Sequence, residues 1–200
     1  QRIDGIGITL KIITDQFKEV QLFVSGSSSF DLGNQLNEPL TGRKWEYELF
    51  PISWEEYEKT IGFVKSEQQI ENRLLYGFYP EVLNNPGNER GILKNLVNSY
   101  LYRDILAFSD IRKPEVLEKL LQALALQMGS EVNYNELAQI VEVNKITIQK
   151  YIEILEKSYI VFRLNSFSKN VRNEIKRNRK IYFYDNGIRN MKIGRASCRE

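Results

Sequence analysis

The sequence contains no histidine and only one cysteine, Cys198. Without histidine the chain cannot form a Ser-His-Asp or Cys-His catalytic group or a histidine-ligated zinc site, and it lacks the commonest general base. A single cysteine excludes an internal disulfide framework and is typical of a reducing cytoplasm. Any catalysis would therefore depend on carboxylates, hydroxyls, lysine or arginine.

Long apolar runs are absent as well. No stretch reaches the roughly 18–20 residues that a membrane span needs, and there is no secretory signal pattern. The composition, 42% hydrophobic and 27% charged, is typical of a soluble globular protein. We therefore expect a cytoplasmic protein with no membrane partner, folded as one large domain or as two to three small ones.

The two ends of the sequence suggest an incomplete chain. It begins with Gln1 instead of Met, which indicates a processed or truncated product. Its last residues, "IGRASCRE", show neither helical nor strand periodicity. We interpret residues 191–200 as a non-native tail and confine the fold predictions to residues 1–190.

The N-terminal part predicts an α/β arrangement in a chain that is mostly α overall. Ile6, Leu10, Ile13 and Phe17 have helical spacing. The stretch "EVQLFVSG" (19–26) has the short apolar run of a buried strand in a parallel sheet, and "KWEYELF" (44–50) alternates like a half-exposed strand. A helix followed by a parallel strand is half of an α/β unit.

Helices dominate the middle of the chain. Ser53 and Glu56 form a capping-box pattern that predicts the start of one helix. Further helices are expected between about 68 and 108, separated by the turn cluster "NNPGNERG" (84–91). Pro114 suits the first turn of another helix, which Gly129 ends. The predicted core-facing stripe of that helix is Val116, Leu117, Leu120, Leu121, Leu124 and Met128.

Residues 133–164 predict two short-linked helices and a strand. Asn133 and Asn144 are placed to cap the helices "YNELAQIV" and "KITIQKYIEILEKS". The strand "YIVFRL" follows, and "IYFYD" (181–185) is a candidate second strand. Together with the preceding amphipathic helix, this order predicts a winged helix-turn-helix.

A cluster of serines follows the predicted strand at 19–26. Ser25, Ser27, Ser28 and Ser29 stand where ligands bind in open parallel sheets, beyond the carboxyl end of a strand. Their hydroxyls could orient a phosphate or an attacking water, or they could simply cap the next helix and turn the chain. Taken alone, the stretch favours the capping interpretation.

Several longer motifs, in order, resemble a family of bacterial and archaeal AAA-type ATPases. The resemblance runs through "GSSSFDLGNQLNEPLTGRKWEYELFPISWEEYE", "LLYGFYPEVL", "YLYRDIL" and "NEIKRNRKIYFYDNGIRN", and it covers nearly all of residues 1–190. In that family an ATPase core is fused to a winged helix and a C-terminal domain of unknown function, DUF4143. The resemblance implies ATP and Mg²⁺ as cofactors of the intact protein.

The same resemblance assigns roles and boundaries. It makes Ser27 the γ-phosphate sensor, with Ser25 and Ser28 as adjacent nucleotide-binding residues. It makes Arg43 a candidate arginine finger, the alternative being an ordinary surface arginine. An arginine acting in trans would require a homo-oligomer. The implied regions are the C-terminal part of the parallel-sheet ATPase core (1–62), a helical lid or linker (63–113), the winged helix (114–168) and the start of the C-terminal domain (169–190).

The sequence has no phosphate-binding loop. The pattern G-x-x-x-x-G-K-[ST] occurs nowhere, and the Walker B pair of acids is also missing. In the resembling family those acids stand immediately before a stretch like Gln1-Arg2-Ile3. Because catalysis of phosphoryl transfer depends on such positioning groups and on Mg²⁺ ligands, we expect these 200 residues alone not to hydrolyse ATP.

Residues 157–180 contain eight lysines and arginines but only one acid, Glu174, whereas the whole chain carries a net charge of only +2. This local excess of positive charge suggests nucleic acid as a partner. Glu136, Glu153 and Glu156 oppose this hypothesis, and protein docking is the alternative. If six or more cations met phosphate, affinity would fall roughly 10³-fold between 50 and 200 mM salt. The candidate contacts are Lys145, Thr147, Gln149, Lys150, Lys169, Arg172, Lys176, Arg177, Arg179 and Lys180.

No metal site is predicted. Asp185 ends an apolar strand and, through a likeness of the C-terminal part to nuclease folds, could be an acidic metal ligand. A nuclease would need further carboxylates and a lysine on succeeding strands. An Asp that caps the turn before Asn186-Gly187 is the favoured interpretation.

Overall fold

The computed structural model describes residues 6–26, 40–98, 113–165 and 179–194. The chain divides into two compact units, Gln1–Leu49 and Phe50–Glu200. No helix in these described ranges is long and apolar enough to cross a membrane. The structure is mostly helical with one small antiparallel sheet, which agrees with the predicted mostly-α composition.

The Gln1–Leu49 unit contains the helix α1 (Ile6–Gln16), as its apolar spacing predicts. Leu10 and Leu40 are buried, and Ile6 and Leu22 pack against them. Phe17, predicted to continue the apolar stripe, lies just beyond the helix and is exposed. Among the residues of this unit that the structure describes, the buried cluster is therefore small.

The two strands predicted in this unit are wrong. Residues 20–26 and 44–50 form neither helix nor strand. The side chain of Phe23 is 88% exposed and that of Leu49 is 98% exposed. A strand needs a neighbour to pair its N–H and C=O groups and to cover its apolar face, and the described part of this unit supplies none.

In the Phe50–Glu200 unit, α2 (Trp54–Ile61) begins with the predicted capping box. The backbone N–H of Glu56 donates to Ser53 Oγ at 3.2 Å, and the N–H of Ser53 donates to Glu56 Oε2 at 2.8 Å. Further helices follow, and all but the first of them lie where the sequence predicts helices. They are α3 (Phe63–Gln68), α4 (Ile70–Tyr76), α5 (Pro80–Leu83) and α6 (Glu89–Leu96).

The helix α7 (Pro114–Leu126) begins at the predicted proline and supplies much of the core. Met128, the last residue of its predicted stripe, lies in the following turn and is half-buried. The other predicted stripe residues are buried, namely Val116, Leu117, Leu120, Leu121 and Leu124.

The next stretch folds as β1 (Glu131–Val132), α8 (Tyr134–Val141), α9 (Lys145–Lys157), β2 (Val161–Leu164) and β3 (Arg179–Phe183). Both predicted helices and both predicted strands are confirmed. Asn133 Oδ1 accepts a hydrogen bond from the N–H of Asn135, and Asn144 Oδ1 accepts one from the N–H of Thr147. These two caps fix where the helices begin.

The strands form one antiparallel sheet in the order β1-β3-β2. Val161 pairs with Phe183, and Val132 pairs with Arg179. The strand β1 escaped prediction because it has only two residues, too few to show an alternating pattern.

A last helix, α10 (Asn186–Lys192), packs against α4, α6 and α7. Met191 and Lys192, which the sequence assigned to the tail, lie in this helix. Lys192 is buried, and its Nζ lies 2.9 Å from Glu118 Oε1 on α7. The C-terminal helix is thereby joined to the core of the unit.

Candidate functional site

The residues predicted to sense nucleotide are only partly described. Ser25 is exposed within the non-strand stretch 20–26, and Ser27 and Ser28 lie outside the described residues. The Nε of Arg43 donates to Asp15 Oδ1 at 2.7 Å, and both side chains are largely exposed. Arg43 is thus held by an acid of its own unit, and its role as an arginine finger stays a prediction.

The predicted nucleic-acid contacts on α9 divide into two kinds. Lys145, Gln149 and Lys150 are exposed. Thr147 is half-buried, and its hydroxyl donates to Asn144 Oδ1 at 2.9 Å, so it serves the helix cap. The first turn of α9 contains no acidic residue. The exposed amino-terminal half of this helix is therefore basic.

The two acids of α9 that weaken this basic character are both in ion pairs. Glu153 Oε1 lies 2.7 Å from Lys157 Nζ, one turn further along the helix. Glu156 pairs with Arg163 of β2, and both of these side chains are partly buried. The negative charges of Glu153 and Glu156 are therefore compensated by these partners, and Lys145 and Lys150 in the first two turns of α9 are not needed to neutralise them.

Of the six remaining basic candidates, two lie in the described part of the chain and four lie outside it. Arg179 and Lys180 lie on β3 and are half-buried. In the sheet, Lys180 stands opposite Glu131 of β1. Lys169, Arg172, Lys176 and Arg177 lie outside the described residues. The structure therefore places six of the ten predicted contacts, four on α9 and two on β3.

Asp185, the N-cap residue of α10, is a buried carboxylate with three backbone hydrogen bonds. Only 4% of its surface is exposed. Its Oδ2 accepts a hydrogen bond from the N–H of Phe78 at 2.7 Å. Its Oδ1 accepts from the N–H groups of Gly187 at 2.8 Å and Ile188 at 3.2 Å. The interpretation of Asp185 as a capping residue is confirmed, and the bond to Phe78 is an unforeseen addition.

Two glycines permit this close approach between the end of α4 and the start of α10. Gly77 has φ +74°, and a Cβ atom there would lie 2.1 Å from Asp185 Oδ1. A Cβ atom on Gly187 would lie 2.3 Å from the carbonyl oxygen of Tyr76. Any side chain at either position would collide with the junction.

Asn190, one turn after Gly187, completes the junction. Its Nδ2 donates to the carbonyl oxygens of Leu74 at 3.0 Å and Leu75 at 2.9 Å. These carbonyls belong to the last turn of α4, where no intrahelical donor is available. We call the set formed by Gly77, Phe78, Asp185, Gly187 and Asn190 the α4–α10 junction.

A buried arginine lies beside the junction. Arg73 is 4% exposed, and its Nη2 lies 3.6 Å from Glu89 Oε1, another buried side chain. Its Nη1 donates to the carbonyl oxygen of Gly77 at 3.4 Å. Burial raises the pKa of the Asp185 carboxyl above its ordinary value, whereas the three backbone donors and the charge of Arg73 oppose that rise.

This raised pKa leads to a prediction about pH. The folded state binds the Asp185 proton more tightly than the unfolded chain does, because its pKa is raised. The protonated carboxyl therefore contributes its full stabilisation below the ordinary Asp pKa of about 3.9. This stabilisation is lost as pH rises through the pKa of the folded state. Relative to Asp185→Asn, the wild-type free energy of unfolding should therefore fall as pH rises from about 4. Urea unfolding of both proteins across pH measures this difference, and parallel pH profiles would contradict the prediction.

The described residues contain no group of three or more acidic or cysteine side chains that could hold a metal ion. Asp185 itself directs both carboxylate oxygens at backbone N–H groups. Sequence reasoning identified the local part of this site because an Asp before Asn-Gly is a turn and cap signal. It missed Phe78 because a contact 107 residues away leaves no local pattern.

Two family models match the chain. Residues 1–58 match the family model described as an AAA domain. Residues 67–198 match the model described as Domain of unknown function (DUF8612), and the chain belongs to this family. The α4–α10 junction, β1–β3 and all the basic candidates lie within that second match. The resemblance noted in the sequence implied a C-terminal DUF4143 domain, but the family model that matches this part of the chain is DUF8612.

Two curated relatives cover most of the chain. An uncharacterized protein of Haemophilus influenzae is 25% identical over 189 residues, which are 88% of this chain and 47% of the relative. The uncharacterized protein MJ1544 of Methanocaldococcus jannaschii is 24% identical over 165 residues, or 74% of this chain and 37% of the relative. The chain thus spans less than half the length of either relative. No solved structure matches it significantly.

Proposed function

We propose that this chain is part of an AAA-type ATP-binding protein whose residues 114–183 form a winged helix-turn-helix that contacts the phosphates of duplex DNA. The match of residues 1–58 to an AAA domain supports the first half of the proposal. The AAA domain match is the ground for proposing ATP and Mg²⁺ as cofactors. Because the present sequence has no phosphate-binding loop pattern, we propose that they bind to the intact protein. In the intact protein, nucleotide state would change the relation between the ATPase core and the winged helix.

The order of elements supports the assignment of a winged helix-turn-helix. A long helix, a short strand, two helices joined by a tight turn and two further strands follow one another from α7 to β3. The strands β1 and β2 flank β3 in one antiparallel sheet, in which β2 packs against α9 and β3 packs against α7. In this arrangement α9 is the helix that would enter the major groove.

The basic start of α9 is the observation that carries the DNA proposal. Lys145 is the first residue of this helix, Lys150 follows on an exposed position, and no acid occupies the first turn. A helix start carries partial positive charge, so cations there are unfavourable unless an anion is bound. A DNA phosphate at this end would be stabilised by Lys145 and by the helix start. Lys150, more than one turn further along the helix, would contact a second phosphate.

The proposal is tested with a fluorescein-labelled 20-base-pair duplex of random sequence and the whole chain. Binding measured by anisotropy should weaken steeply between 50 and 200 mM NaCl. The double substitution Lys145→Ala with Lys150→Ala should reduce the slope of log affinity against log salt by about 1.8, the value for two phosphate contacts.

The matched control removes two exposed lysines from elsewhere in the same unit, Lys65 and Lys94. Their double alanine variant should keep the wild-type salt slope, because neither lysine lies in residues 114–183. Equal losses in the two double variants would contradict contact through α9, as would DNA binding that is absent at 50 mM salt.

A second candidate function is docking of another protein on the same helices. Ile146 on α9 is 75% exposed, and Ile140 on α8 is also exposed. Phosphate binding does not require such apolar side chains, whereas a protein partner would bury them. If DNA binding fails, Ile146→Asp is the variant that tests protein docking. It should abolish docking but leave the fold intact, because the side chain at this position is exposed.

A further inference from the structure

A groove of about 360 Å³ lies among α2, α3, α4 and the segment that follows α4, and none of its lining residues belongs to α9. Its volume suits a single amino-acid side chain with part of its backbone. Six residues line it, namely Trp54, Glu67, Ile70, Arg73, Leu74 and Phe78.

The aromatic wall of the groove is held in place by its own packing. The rings of Trp54 and Phe78 meet edge to face with centroids 6.1 Å apart. Phe78 meets Tyr57 in the same way at 5.6 Å. Phe78 is fixed further because its backbone N–H donates to Asp185. This wall is therefore preformed and does not need a ligand to organise it.

The opposite wall is aliphatic and open to solvent. Ile70 and Leu74 lie one turn apart on α4 and are 39% and 57% exposed. Side chains four residues apart on a helix lie next to each other, so the two form a continuous apolar strip. A long methylene chain could pack along this strip.

One free carboxylate lies in the groove. Glu67 is exposed, and its carboxylate makes no hydrogen bond or ion pair with the parts of the chain that the structure describes. The other charged residue of the lining, Arg73, is already compensated by Glu89 at 3.6 Å, and its guanidinium lies 5.9 Å from the centre of the Tyr57 ring. The uncompensated charge of the groove is therefore negative.

Arg73 also offers a donor. Its Nε is buried and has no acceptor among the described residues. A buried donor without a partner costs free energy, which a ligand carbonyl could recover. A peptide carries such a carbonyl close to every side chain, whereas a free amine does not.

We propose that this groove binds a basic peptide segment of a protein partner by accepting one of its arginine or lysine side chains. The methylenes of that side chain pack along Ile70 and Leu74. Its charged head meets the Glu67 carboxylate and the face of the Trp54 ring. A main-chain carbonyl of the peptide accepts from Arg73 Nε. This site belongs to the helices that precede the winged helix and does not depend on DNA binding.

The charge around the groove favours the same partner. On α2, α3 and the start of α4 there are five acids, Glu55, Glu56, Glu58, Glu67 and Glu71, against the two lysines Lys59 and Lys65. Lys59 is paired with Glu55 at 2.8 Å. A negative surface attracts cationic segments and repels acidic ones, so it selects partners by charge.

The test uses the whole chain labelled with ¹⁵N, because the two tryptophans report on different units. Trp54 lines the groove, whereas Trp45 lies in the Gln1–Leu49 unit. The probes are the peptides Gly-Ser-Gly-Leu-X-Leu-Gly-Ser-Gly, with X as Arg, Ala or Glu, acetylated and amidated. We expect the Arg peptide to shift the Trp54 indole N–H signal saturably, the Ala peptide to bind more weakly, and the Glu peptide to bind least.

Variants separate the charge from the apolar wall. Glu67→Gln should weaken the Arg peptide by about three- to ten-fold and leave the Ala peptide unchanged. Leu74→Ala should weaken both peptides. Glu81→Gln, which removes an exposed carboxylate outside the groove lining, is the control and should change neither.

Three outcomes would overturn the proposal. Equal binding of the Arg and Ala peptides would mean that the groove selects only apolar side chains. Tighter binding of the Glu peptide would mean that Arg73, not Glu67, sets the charge preference. No saturable Trp54 shift at millimolar peptide would mean that the groove takes no basic segment.

Discussion

Asp185→Ala is expected to destabilise the Phe50–Glu200 unit by about 3 kcal/mol or more. The substitution leaves three backbone N–H groups, those of Phe78, Gly187 and Ile188, without their acceptor. A buried donor that loses its partner costs about 1–3 kcal/mol, and loss of a helix cap costs about 0.5–2 kcal/mol. For a unit of this size, the loss corresponds to a fall in Tm of about 6–12 °C.

The measurement is urea unfolding followed by the fluorescence of Trp54, in a background in which Trp45 is replaced by Phe. The matched variant Asp185→Asn keeps one oxygen for Gly187 and Ile188 but turns an NH₂ group towards the N–H of Phe78. It should therefore lose less stability than the alanine variant. If both variants unfold within about 0.5 kcal/mol of the wild type, the α4–α10 junction does not stabilise the unit.

Gly77→Ala is expected to have an effect of similar size for a different reason. The new methyl group would lie 2.1 Å from Asp185 Oδ1, well inside van der Waals contact. The backbone of Gly77 also has φ +74° and ψ −159°, a conformation open essentially to glycine alone. Collision and backbone strain together should cost about 3 kcal/mol or more.

Gly87→Ala is the matched control for this substitution. Gly87 has φ +90°, but a Cβ atom there would have no neighbour within 4 Å. It should therefore show the cost of backbone strain alone, about 1–2 kcal/mol. A larger loss of stability in Gly77→Ala than in Gly87→Ala, measured by urea unfolding, is the result expected if the collision with Asp185 adds to backbone strain. Equal losses would mean that the junction moves aside to accept a side chain.

Local signals in the sequence were sufficient for the starts of α2, α7, α8 and α9. Ser53, Asn133 and Asn144 each bind a backbone N–H two or three residues away, so the cap and its acceptor are visible in the same short stretch. The apolar stripe of α7 is similarly local, because its period follows from the helix itself. Of the candidate site, the same reasoning reached Asp185 as a cap.

Features that depend on distant neighbours were not predictable in this way. The stretch 20–26 has the composition of a buried strand, but a strand exists only if another strand pairs with it. The side chain of Arg73 pairs with Glu89 and lies near Asp185, and no spacing rule connects these three positions. The end of α4 gives a local reason for glycine at position 77, but the close approach of a carboxylate more than 100 positions later left no local pattern.

The separation of these partners along the chain has a consequence for synthesis. The carbonyls of Leu74 and Leu75 receive their donor from Asn190, 116 and 115 residues later. At about 5–20 residues per second, a ribosome needs roughly 6–23 s to add that length. During this interval these two carbonyls lack the donor that Asn190 supplies, and the face of α4 that later packs against α10 is uncovered. A pause in translation between these two segments should therefore increase aggregation of the nascent chain.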